Sequence, residues 1–236
     1  AVNLYSRTDA GTLTVNTYFE PTDTTNYNSL GSSSNYYASK SITITQATPT
    51  LTFNASSSTL TYSGSTQNIG TISYTGDGKF YYVVSTSTTA PSTGWTETSS
   101  GTTIKSSAST AATYYVYLKS TAGTNYAAVS AANKGNKAIG KATPTLTLTG
   151  SEITYDGSST AAVKASASVD GKIYYGTSTS MGSNKSASAN TEYTLATRND
   201  AGTTTVYAAF VPTDTTNYIS LGSSSSYKKS ASAKVN

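Results

Sequence analysis

The chain contains no cysteine and no histidine among its 236 residues. Without cysteine it cannot form disulfides, thiolate metal sites or a cysteine nucleophile. Without histidine it lacks the most common general base and the most common metal ligand of proteins. A chain without disulfides fits the exterior of a bacterium or virus better than an animal secreted domain.

Charge is also scarce, since only 11% of the residues are Asp, Glu, Lys or Arg. The net charge of +4 reflects few acids rather than many bases, and the cations are scattered. The tightest groups are Lys134, Lys137 and Lys141, and Lys228, Lys229 and Lys234. Nucleic-acid binding proteins concentrate such charge on one face, and no apolar run approaches the roughly 20 residues of a membrane span. We therefore predict neither a nucleic-acid partner nor membrane insertion in this segment.

Hydrophobic residues make up 36% of the chain, which is low for a folded protein. Disordered chains, however, are poor in aromatic and β-branched residues. This chain has 20 tyrosines and many Thr, Val and Ile residues, which suit a half-buried pleated surface. The composition therefore predicts folded β-structure with a lean core.

An internal repeat organises the chain. The segment PTDTTNY runs from Pro21 to Tyr27 and recurs unchanged from Pro212 to Tyr218, a shift of 191 positions. The segment ATPTLT at 47–52 recurs at 142–147, a shift of 95 positions. One period of about 95 residues explains both shifts.

This period divides the chain into three repeats, at residues 1–46, 47–141 and 142–236. Ala1 aligns with Glu192, so the first repeat corresponds to only the C-terminal part of a complete one. We expect its missing strands to precede Ala1 in a longer parent polypeptide, or to come from a neighbouring chain.

The middle repeat is the most diverged. LTYSGS at 60–65 matches ITYDGS at 153–158, and GTNY at 123–126 stands where TTNY stands in the third repeat. Ala122 occupies the position of the acid that the other two repeats carry as Asp23 and Asp214.

Short segments with alternating polarity, separated by turn signals, predict β-strands in the third repeat. The predicted strands are 142–149, 152–155, 161–169, 172–175, 192–195, 203–211 and 228–235. About seven strands in 95 residues match an Ig-like sandwich in size and spacing. No segment has a sustained apolar period of 3.6 residues. We predict an all-β chain of tandem Ig-like antiparallel β-sandwiches with nearly no helix.

The strand before TTNY shows which side faces the core. The more apolar side carries Phe210 in the third repeat, Leu118 in the middle repeat and Phe19 in the first. Because successive side chains alternate across a strand, we assign this side to the core in all three repeats. Asp77–Gly78 and Asp170–Gly171 are predicted to form tight hairpin turns, since glycine tolerates positive φ.

Each predicted boundary carries Ala-Thr-Pro-Thr, at 47–50 and at 142–145. Proline biases the preceding residue toward extended conformations, so the last strand of one repeat should run directly into the next. No Gly/Ser linker separates the repeats, and the array is predicted to be a semi-rigid rod.

The combination of PTDTTNY, ATPTLT, TYDGS and GKIYYGTS resembles the bacterial Ig-like repeats of large surface proteins and of some phage structural proteins. The resemblance covers essentially the whole chain, and the pairing of PTDTTNY with ATPTLT is its most specific part. It implies a structural or binding role and carries over no catalytic residue.

The candidate chemistry is sparse. Asp23 and Asp214 could be Ca²⁺ ligands, but Ca²⁺ takes six to eight oxygens and each motif holds one acid. We favour a turn-capping role for both, with Tyr27 and Tyr218 as packed loop anchors. The scattered acids suggest no paired carboxylates, so we predict that the chain is not an enzyme. It is predicted to have no catalytic, cofactor-binding or metal-binding residues and no cofactor.

Lys164, Lys172 and Asn236 could form Lys–Asn isopeptide bonds of the kind found in some Gram-positive surface proteins. We favour solvated lysines, since the middle repeat has no match for Lys164. Asn54 and Asn184 fit the N-glycosylation sequon, a match that arises by chance in a chain so rich in Asn, Ser and Thr.

Aromatic residues suggest a glycan-binding alternative. Trp95, the only tryptophan, could contact a ligand, but a lone Trp in a sandwich more often supplies buried area. In Tyr81–Tyr82 and Tyr174–Tyr175, one ring of each pair should lie in the core and the other on the outer face.

We predict a non-catalytic spacer or stalk of an extracellular, adhesin-like bacterial surface protein. The predicted partners are flanking Ig-like repeats of the same polypeptide or of neighbouring chains. A host-surface glycan or protein is a further candidate partner. Two alternatives stay open: a phage fibre or capsid-decoration protein on the virion surface, and a carbohydrate-binding module.

Overall fold

The computed structural model describes residues 7–28, 38–176, 193–221 and 229–236, with only the backbone of 193–197. Over these residues the chain consists of β-strands, turns and irregular segments without helix, which confirms the predicted all-β class. The strands form five sheets, as is consistent with a β-sandwich architecture.

Ten described strands lie before residue 141. They are β1 (Gly11–Thr17), β2 (Ala38–Ile44), β3 (Thr50–Ala55), β4 (Leu60–Thr61), β5 (Asn68–Thr75), β6 (Phe80–Ser85), β7 (Thr96–Thr98), β8 (Thr103–Lys105), β9 (Thr113–Ser120) and β10 (Val129–Gly140). Strands β1 and β2 form an antiparallel pair. The other strands form two sheets, of order β3-β5-β8 and β4-β10-β9-β6-β7.

Seven described strands follow. They are β11 (Leu146–Gly150), β12 (Glu152–Ile153), β13 (Ala161–Ala167), β14 (Gly171–Gly176), β15 (Tyr193–Arg198), β16 (Gly202–Pro212) and β17 (Lys229–Val235). They form sheets of order β11-β13-β15 and β12-β17-β16-β14. Each of the seven strands predicted for the third repeat overlaps one of these strands.

Internal contacts group the chain into two compact units. Unit 1 comprises residues 1–56, 68–107 and 114–137, and unit 2 comprises residues 57–67, 108–113 and 138–236. Each unit therefore contains residues of more than one sequence repeat. The predicted domain boundaries at residues 46 and 141 stay a prediction.

A buried cluster among the described residues of unit 2 draws on both of its larger sheets. Leu146 and Val163 come from the β11-β13-β15 sheet, while Ile173, Phe210 and Val235 come from the β12-β17-β16-β14 sheet. Every one of these side chains is at most 2% exposed. Two sheets that share one apolar interior are the packing unit of a β-sandwich.

The core side predicted from alternation is confirmed in two repeats. Phe210 is 1% exposed, and Leu118 at the aligned position of the middle repeat is also buried. The assignment is wrong for the first repeat, where Phe19 is 61% exposed. Phe19 lies two residues beyond the end of β1, and among the described strands β1 pairs with β2 alone.

The predicted hairpins at Asp77–Gly78 and Asp170–Gly171 are wrong. Strand β5 pairs with β3 and β8, whereas β6 pairs with β7 and β9, so Asp77–Gly78 lies in a connection between sheets. Neither Gly78 nor Gly171 has a positive φ. Glycine is needed there for space, because a Cβ at Gly78 would lie 2.2 Å from the Thr121 carbonyl oxygen.

The sheets are not wholly antiparallel. Strand β12 pairs in parallel with the end of β17, and β4 pairs in parallel with the end of β10. In the third repeat this pairing follows a switch of sheets between β11 and β12. Gly150 lies at the switch, where a Cβ would meet the Ser232 carbonyl oxygen at 1.7 Å.

Candidate functional site

The three TNY loops, at 23–27, 123–126 and 214–218, are the most regular polar feature of the chain. In the third repeat, Asp214 Oδ1 accepts the backbone N–H groups of Thr216 at 3.1 Å and Asn217 at 3.0 Å. Its Oδ2 accepts Nδ2 of Asn217 at 2.8 Å. Asp23 accepts the same three bonds in the first repeat. The predicted turn capping is confirmed for both acids.

These hydrogen bonds set the charge state of the loop acids. The bond from the Asn217 side chain, followed by the backbone bonds, holds the pKa of Asp214 below its usual range. The Asn26 side chain and backbone have the same effect on the pKa of Asp23. Across the described residues, no three Asp, Glu, His or Cys side chains gather as a metal site would require.

In the middle repeat, where Ala122 stands in place of the loop acid, an aspartate from a distant part of the chain caps the loop. Asp77 Oδ2 accepts the backbone N–H of Asn125 at 2.7 Å. Asp77 therefore takes over part of the capping that Asp214 provides in the third repeat. Nothing in the local sequence around Ala122 indicates this substitution, because Asp77 lies 48 positions upstream of Asn125.

The asparagine of the TNY loop reaches into the preceding repeat. In unit 1, Asn125 Oδ1 accepts the backbone N–H of Ala10 at 2.7 Å, and its Nδ2 donates to Asp9 Oδ1 at 3.1 Å. In unit 2, Asn217 Oδ1 accepts the backbone N–H of Ala111, again at 2.7 Å. Asn217 is a buried polar residue, 8% exposed.

The backbone N–H groups that these asparagines bind belong to equivalent turns of successive repeats. Gly11 pairs with Ile44 at the end of β2, and Gly202 pairs with Val235 at the end of β17. In the middle repeat the corresponding Ile139 N–H donates to the Ala112 carbonyl at 2.9 Å. Residues 9–11, 110–112 and 200–202 are therefore equivalent turns, which we call donor turns. Their central residues are Ala10, Ala111 and Ala201.

The backbone joins the same two elements. The Ala47 N–H donates to the Asn125 carbonyl at 2.8 Å, and the Ala47 carbonyl accepts the Ala127 N–H at 2.8 Å. Ala142 makes the corresponding bonds, donating to Asn217 at 2.8 Å and accepting from Ile219 at 3.0 Å. Each Ala-Thr-Pro segment thus forms a short parallel bridge with a TNY loop.

Side chains just before each Ala-Thr-Pro segment add a further bond. Gln46 Nε2 donates to the Gly123 carbonyl at 2.8 Å, and Lys141 Nζ donates to the Thr215 carbonyl at 2.6 Å. Tyr62 also packs edge-to-face on Tyr218, with ring centroids 5.4 Å apart. We call the combination of TNY loop, donor turn and Ala-Thr-Pro bridge the junction.

Sequence reasoning missed the asparagine at the centre of the junction. It singled out Asp23, Asp214 and the loop tyrosines instead. The available signal was internal to the chain, since the Asn is present in all three TNY loops whereas the acid is not. Of the two tyrosines predicted to pack as anchors, Tyr218 does so, but Tyr27 is 65% exposed.

Trp95 is half-buried in the middle repeat. Its Nε1 donates to the Pro91 carbonyl at 3.1 Å, and the Lys119 ammonium lies 4.2 Å from the ring centroid. Nearby, Lys79 pairs with Glu97 at 3.2 Å, and this hydrogen bond raises the pKa of Lys79. The indole N–H and one ring face are therefore engaged by the protein itself.

The tyrosine pairs differ. Tyr175 is buried and Tyr174 is only partly so, as predicted, whereas Tyr81 and Tyr82 are both half-buried. The prediction is wrong for the second pair, because the buried positions of β6 are Phe80 and Val83.

The isopeptide candidates lie in exposed positions. Lys164 and Lys172 are on exposed sites of β13 and β14. Asn236 Nδ2 donates to Glu152 Oε1 at 2.6 Å, and Lys234 Nζ donates to the same oxygen at 2.8 Å. These bonds, that of Lys234 first, lower the pKa of Glu152. Glu152 is thus a surface ion-pair partner rather than a buried acid.

Only one of the two N-glycosylation sequons lies among the described residues. Asn54 is exposed on β3, and its Nδ2 donates to Ser73 Oγ at 3.3 Å. Asn184 lies outside the described residues.

No protein-family model matches the chain, and no curated protein matches its sequence. Among the described residues, no helix is long and apolar enough to cross a membrane.

Proposed function

We propose that the chain is a non-catalytic spacer of an extracellular bacterial surface protein, built as a rod of tandem Ig-like domains. The observation that carries this proposal is the junction, which occurs twice with the same bond from a donor-turn N–H to the loop Asn and the same two backbone bonds at Ala-Thr-Pro. A fixed contact between successive repeats is what a spacer requires and what independent binding modules do not.

The pairing of the strands supports the Ig-like part of the proposal. The β11-β13-β15 and β12-β17-β16-β14 sheets of the third repeat correspond to the β3-β5-β8 and β4-β10-β9-β6 strands of the middle repeat. In both, an edge strand pairs in parallel with the last strand, so that the opening segment contributes to two sheets. Strand β7 is an additional edge strand of the middle repeat.

The chemistry of the junction supports stiffness. Each junction combines a bond that the Asn side chain accepts from a donor-turn N–H, two backbone bonds at Ala-Thr-Pro and a bond from the preceding Gln or Lys. A single such bond contributes about 0.5–1.5 kcal/mol. Several bonds on different elements must break together before one repeat can pivot on the next.

The composition agrees with a hydrated exterior that performs no chemistry. The loop acids Asp23 and Asp214 cap turns, and Glu152 pairs with Lys234. These carboxylates form local hydrogen bonds and an ion pair, and they do not face one another across a cleft as the catalytic carboxylates of glycosidases do. A weakly charged surface rich in Ser and Thr suits a stalk whose role is to extend.

Small-angle X-ray scattering of the whole chain tests the rod. A compact protein of this length would have a radius of gyration of about 18 Å, and we expect a clearly larger value with a narrow distance distribution. A variant with a flexible Gly/Ser insertion between Gln46 and Ala47 should broaden that distribution. A compact particle, or no response to the insertion, would contradict the proposal.

Proteolytic shaving of intact source cells tests the location. Peptides from this chain should be released before lysis, in step with other surface proteins. Recovery only from purified virions would instead support the phage fibre reading.

A further inference from the structure

We propose that a pocket at the side of the middle repeat binds a neutral sugar. The pocket has a volume of about 480 Å³, in the size range of small-molecule sites. This inference goes beyond the spacer role and does not depend on it. One aromatic ring, one carboxylate and four Ser or Thr side chains line the pocket: Tyr82, Thr96, Glu97, Thr98, Ser99 and Thr102.

Two edge strands from different sheets flank the pocket. Strand β7 is an edge of the β4-β10-β9-β6-β7 sheet, and β8 is an edge of the β3-β5-β8 sheet. The segment between them, residues 99–102, crosses from one sheet to the other and supplies Ser99 and Thr102 to the lining. A ligand can therefore enter between the edges of the two sheets without displacing the core.

The ring of Tyr82 forms the aromatic part of the lining. Tyr82 pairs directly with Thr96, as Phe80 pairs with Thr98. Residues two positions apart share a face of the sheet, and Phe80 is buried, so Tyr82 lies on the core side. Tyr74 stacks on Phe80 with ring centroids 3.6 Å apart, whereas no ring contact within the described residues involves Tyr82. The half-buried Tyr82 ring is thus available to a ligand.

Polar groups of the lining have free hydrogen-bonding capacity. Within the described part of the chain, no hydrogen bond engages the side-chain hydroxyl of Tyr82 or of Thr96. Glu97 accepts a bond from Lys79 through Oε2, which leaves its Oε1 for another donor. Two hydroxyls that both donate and accept, with one carboxylate that accepts, match the hydroxyl groups of a sugar.

The segment that closes the pocket is held in place before any ligand binds. The Ser99 carbonyl accepts Oγ1 of Thr98 at 3.3 Å, Oγ1 of Thr102 at 2.7 Å and the Thr102 N–H at 3.2 Å. The Gly101 N–H donates to the Ile72 carbonyl at 2.8 Å. Little of this segment needs to be ordered on binding, which lowers the cost of binding.

The lining indicates the class of ligand. Its hydroxyls and carboxylate would lose hydrogen bonds to water against an apolar ligand. Glu97 is the single charged residue among the six, and its carboxylate disfavours phosphate, sulfate and acidic sugars. A neutral sugar satisfies both conditions, because its hydroxyls bind the polar groups. Its weakly positive C–H groups pack on the negative face of the Tyr82 ring.

The pocket is distinct from the tryptophan that the sequence suggested as a glycan contact. Trp95 is the neighbour of Thr96 in sequence but is not part of the lining. Its Nε1 is bound by the Pro91 carbonyl, and Lys119 lies over its ring. Trp95 is therefore a matched aromatic control for Tyr82.

Saturation-transfer difference NMR on the whole chain tests the proposal. The probes are the methyl glycosides of glucose, galactose, mannose and N-acetylglucosamine. At least one should receive saturation from the protein, most strongly at the ring protons that pack on Tyr82. The methyl glycoside of N-acetylneuraminic acid, which is anionic, should receive none.

Variants assign the site. Tyr82→Leu should weaken binding of the responding sugar about tenfold, the upper range for one aromatic contact. Thr96→Val should weaken it about fivefold, the factor expected for one lost hydrogen bond. Thr96 is exposed, so this second variant should fold normally even if Tyr82→Leu does not. Trp95→Phe should leave the affinity unchanged.

Three outcomes would overturn the proposal. Absence of saturation transfer to all four neutral glycosides would show that the pocket binds no such sugar. Binding that is lost in Trp95→Phe but kept in Thr96→Val would place the site at Trp95. A preference for the anionic glycoside would contradict the class of ligand. In each case the spacer proposal would stand, because it rests on the junction.

Discussion

The first and third TNY loops have one sequence and two environments. Residues 23–27 and 214–218 form the same capped turn, with matching hydrogen bonds around Asp23 and Asp214. Yet Tyr27 is exposed, whereas Tyr218 packs against Tyr62. Local sequence determines the conformation of this loop, whereas the burial of the third loop comes from contacts with residues distant in sequence, Tyr62 and Ala111.

The same contrast extends to the strand that leads into each loop. Phe19 and Phe210 occupy aligned positions, two residues before the repeated proline. Phe210 belongs to the core cluster of unit 2, while Phe19 lies two residues beyond the end of β1 and is exposed. The stability that a phenylalanine contributes therefore depends on whether other residues bury its ring.

The largest expected effect is a change in stability at these two phenylalanines. Phe210→Ala should destabilise unit 2 by about 3–5 kcal/mol, the usual cost of truncating a buried Phe. Phe19→Ala should change stability by no more than about 0.5 kcal/mol, as for most surface substitutions. Hydrogen exchange of β16 and of β1, followed by mass spectrometry, measures both effects in the intact chain.

Comparable losses of protection from hydrogen exchange in the Phe210→Ala and Phe19→Ala variants would contradict this expectation. They would show that the β1-β2 pair is covered in solution. Thr205→Ala, on the opposite face of β16, is a suitable control because its side chain is exposed.

Sequence predicted local features better than long-range ones. The strands of the third repeat and the core side at Phe210 follow from alternation, which a single strand displays along its own length. The role of Gly78 does not, because the Thr121 carbonyl that excludes a Cβ is 43 positions away. The sequence pattern indicates that a glycine is required at a position. It does not show whether the backbone there needs a positive φ or whether there is no room for a Cβ.

The junction shows the same division. The turn-capping role of Asp214 was predictable, since its partners are two and three residues away. The bond from Ala111 to Asn217 spans 106 positions and depends on how successive repeats meet. For that reason the asparagine was overlooked, although it is present in every TNY loop.

An intermediate effect is expected at the loop asparagines. Asn217→Ala leaves the Ala111 N–H without its acceptor, which should cost about 1–3 kcal/mol at a buried site. Asn26→Ala removes an exposed side chain and should give a much smaller change. Amide exchange of residues 108–113 should accelerate only in the first variant.

Replacement by Asp refines this test. Asn217→Asp keeps an acceptor for the Ala111 N–H but loses the Nδ2 donor and places a carboxylate beside Asp214. If Asn217→Asp and Asn217→Ala accelerated exchange equally at pH 7, the acceptor would contribute little. The loop geometry, rather than the bond between repeats, would then dominate.

The smallest effects concern pH. Because the folded pKa values of Asp23 and Asp214 lie below the unfolded value of about 3.9, their capping stabilises the fold at higher pH. That contribution is fully present above pH of about 4 and is lost as the pH falls through the folded pKa values. Carboxyl carbon shifts followed by NMR should show both acids titrating below the ordinary aspartate range.

A further difference between the two loops is the cation Lys141, which lies near Asp214. Lys141 adds a small electrostatic stabilisation to ionised Asp214, whereas no such contribution acts on Asp23. Lys141→Ala should therefore raise the pKa of Asp214 and leave the pKa of Asp23 unchanged. Added salt should act in the same direction, because it screens exposed charges. An equal shift at both acids in the Lys141 variant would mean that the cation acts through the fold and not on its neighbouring loop.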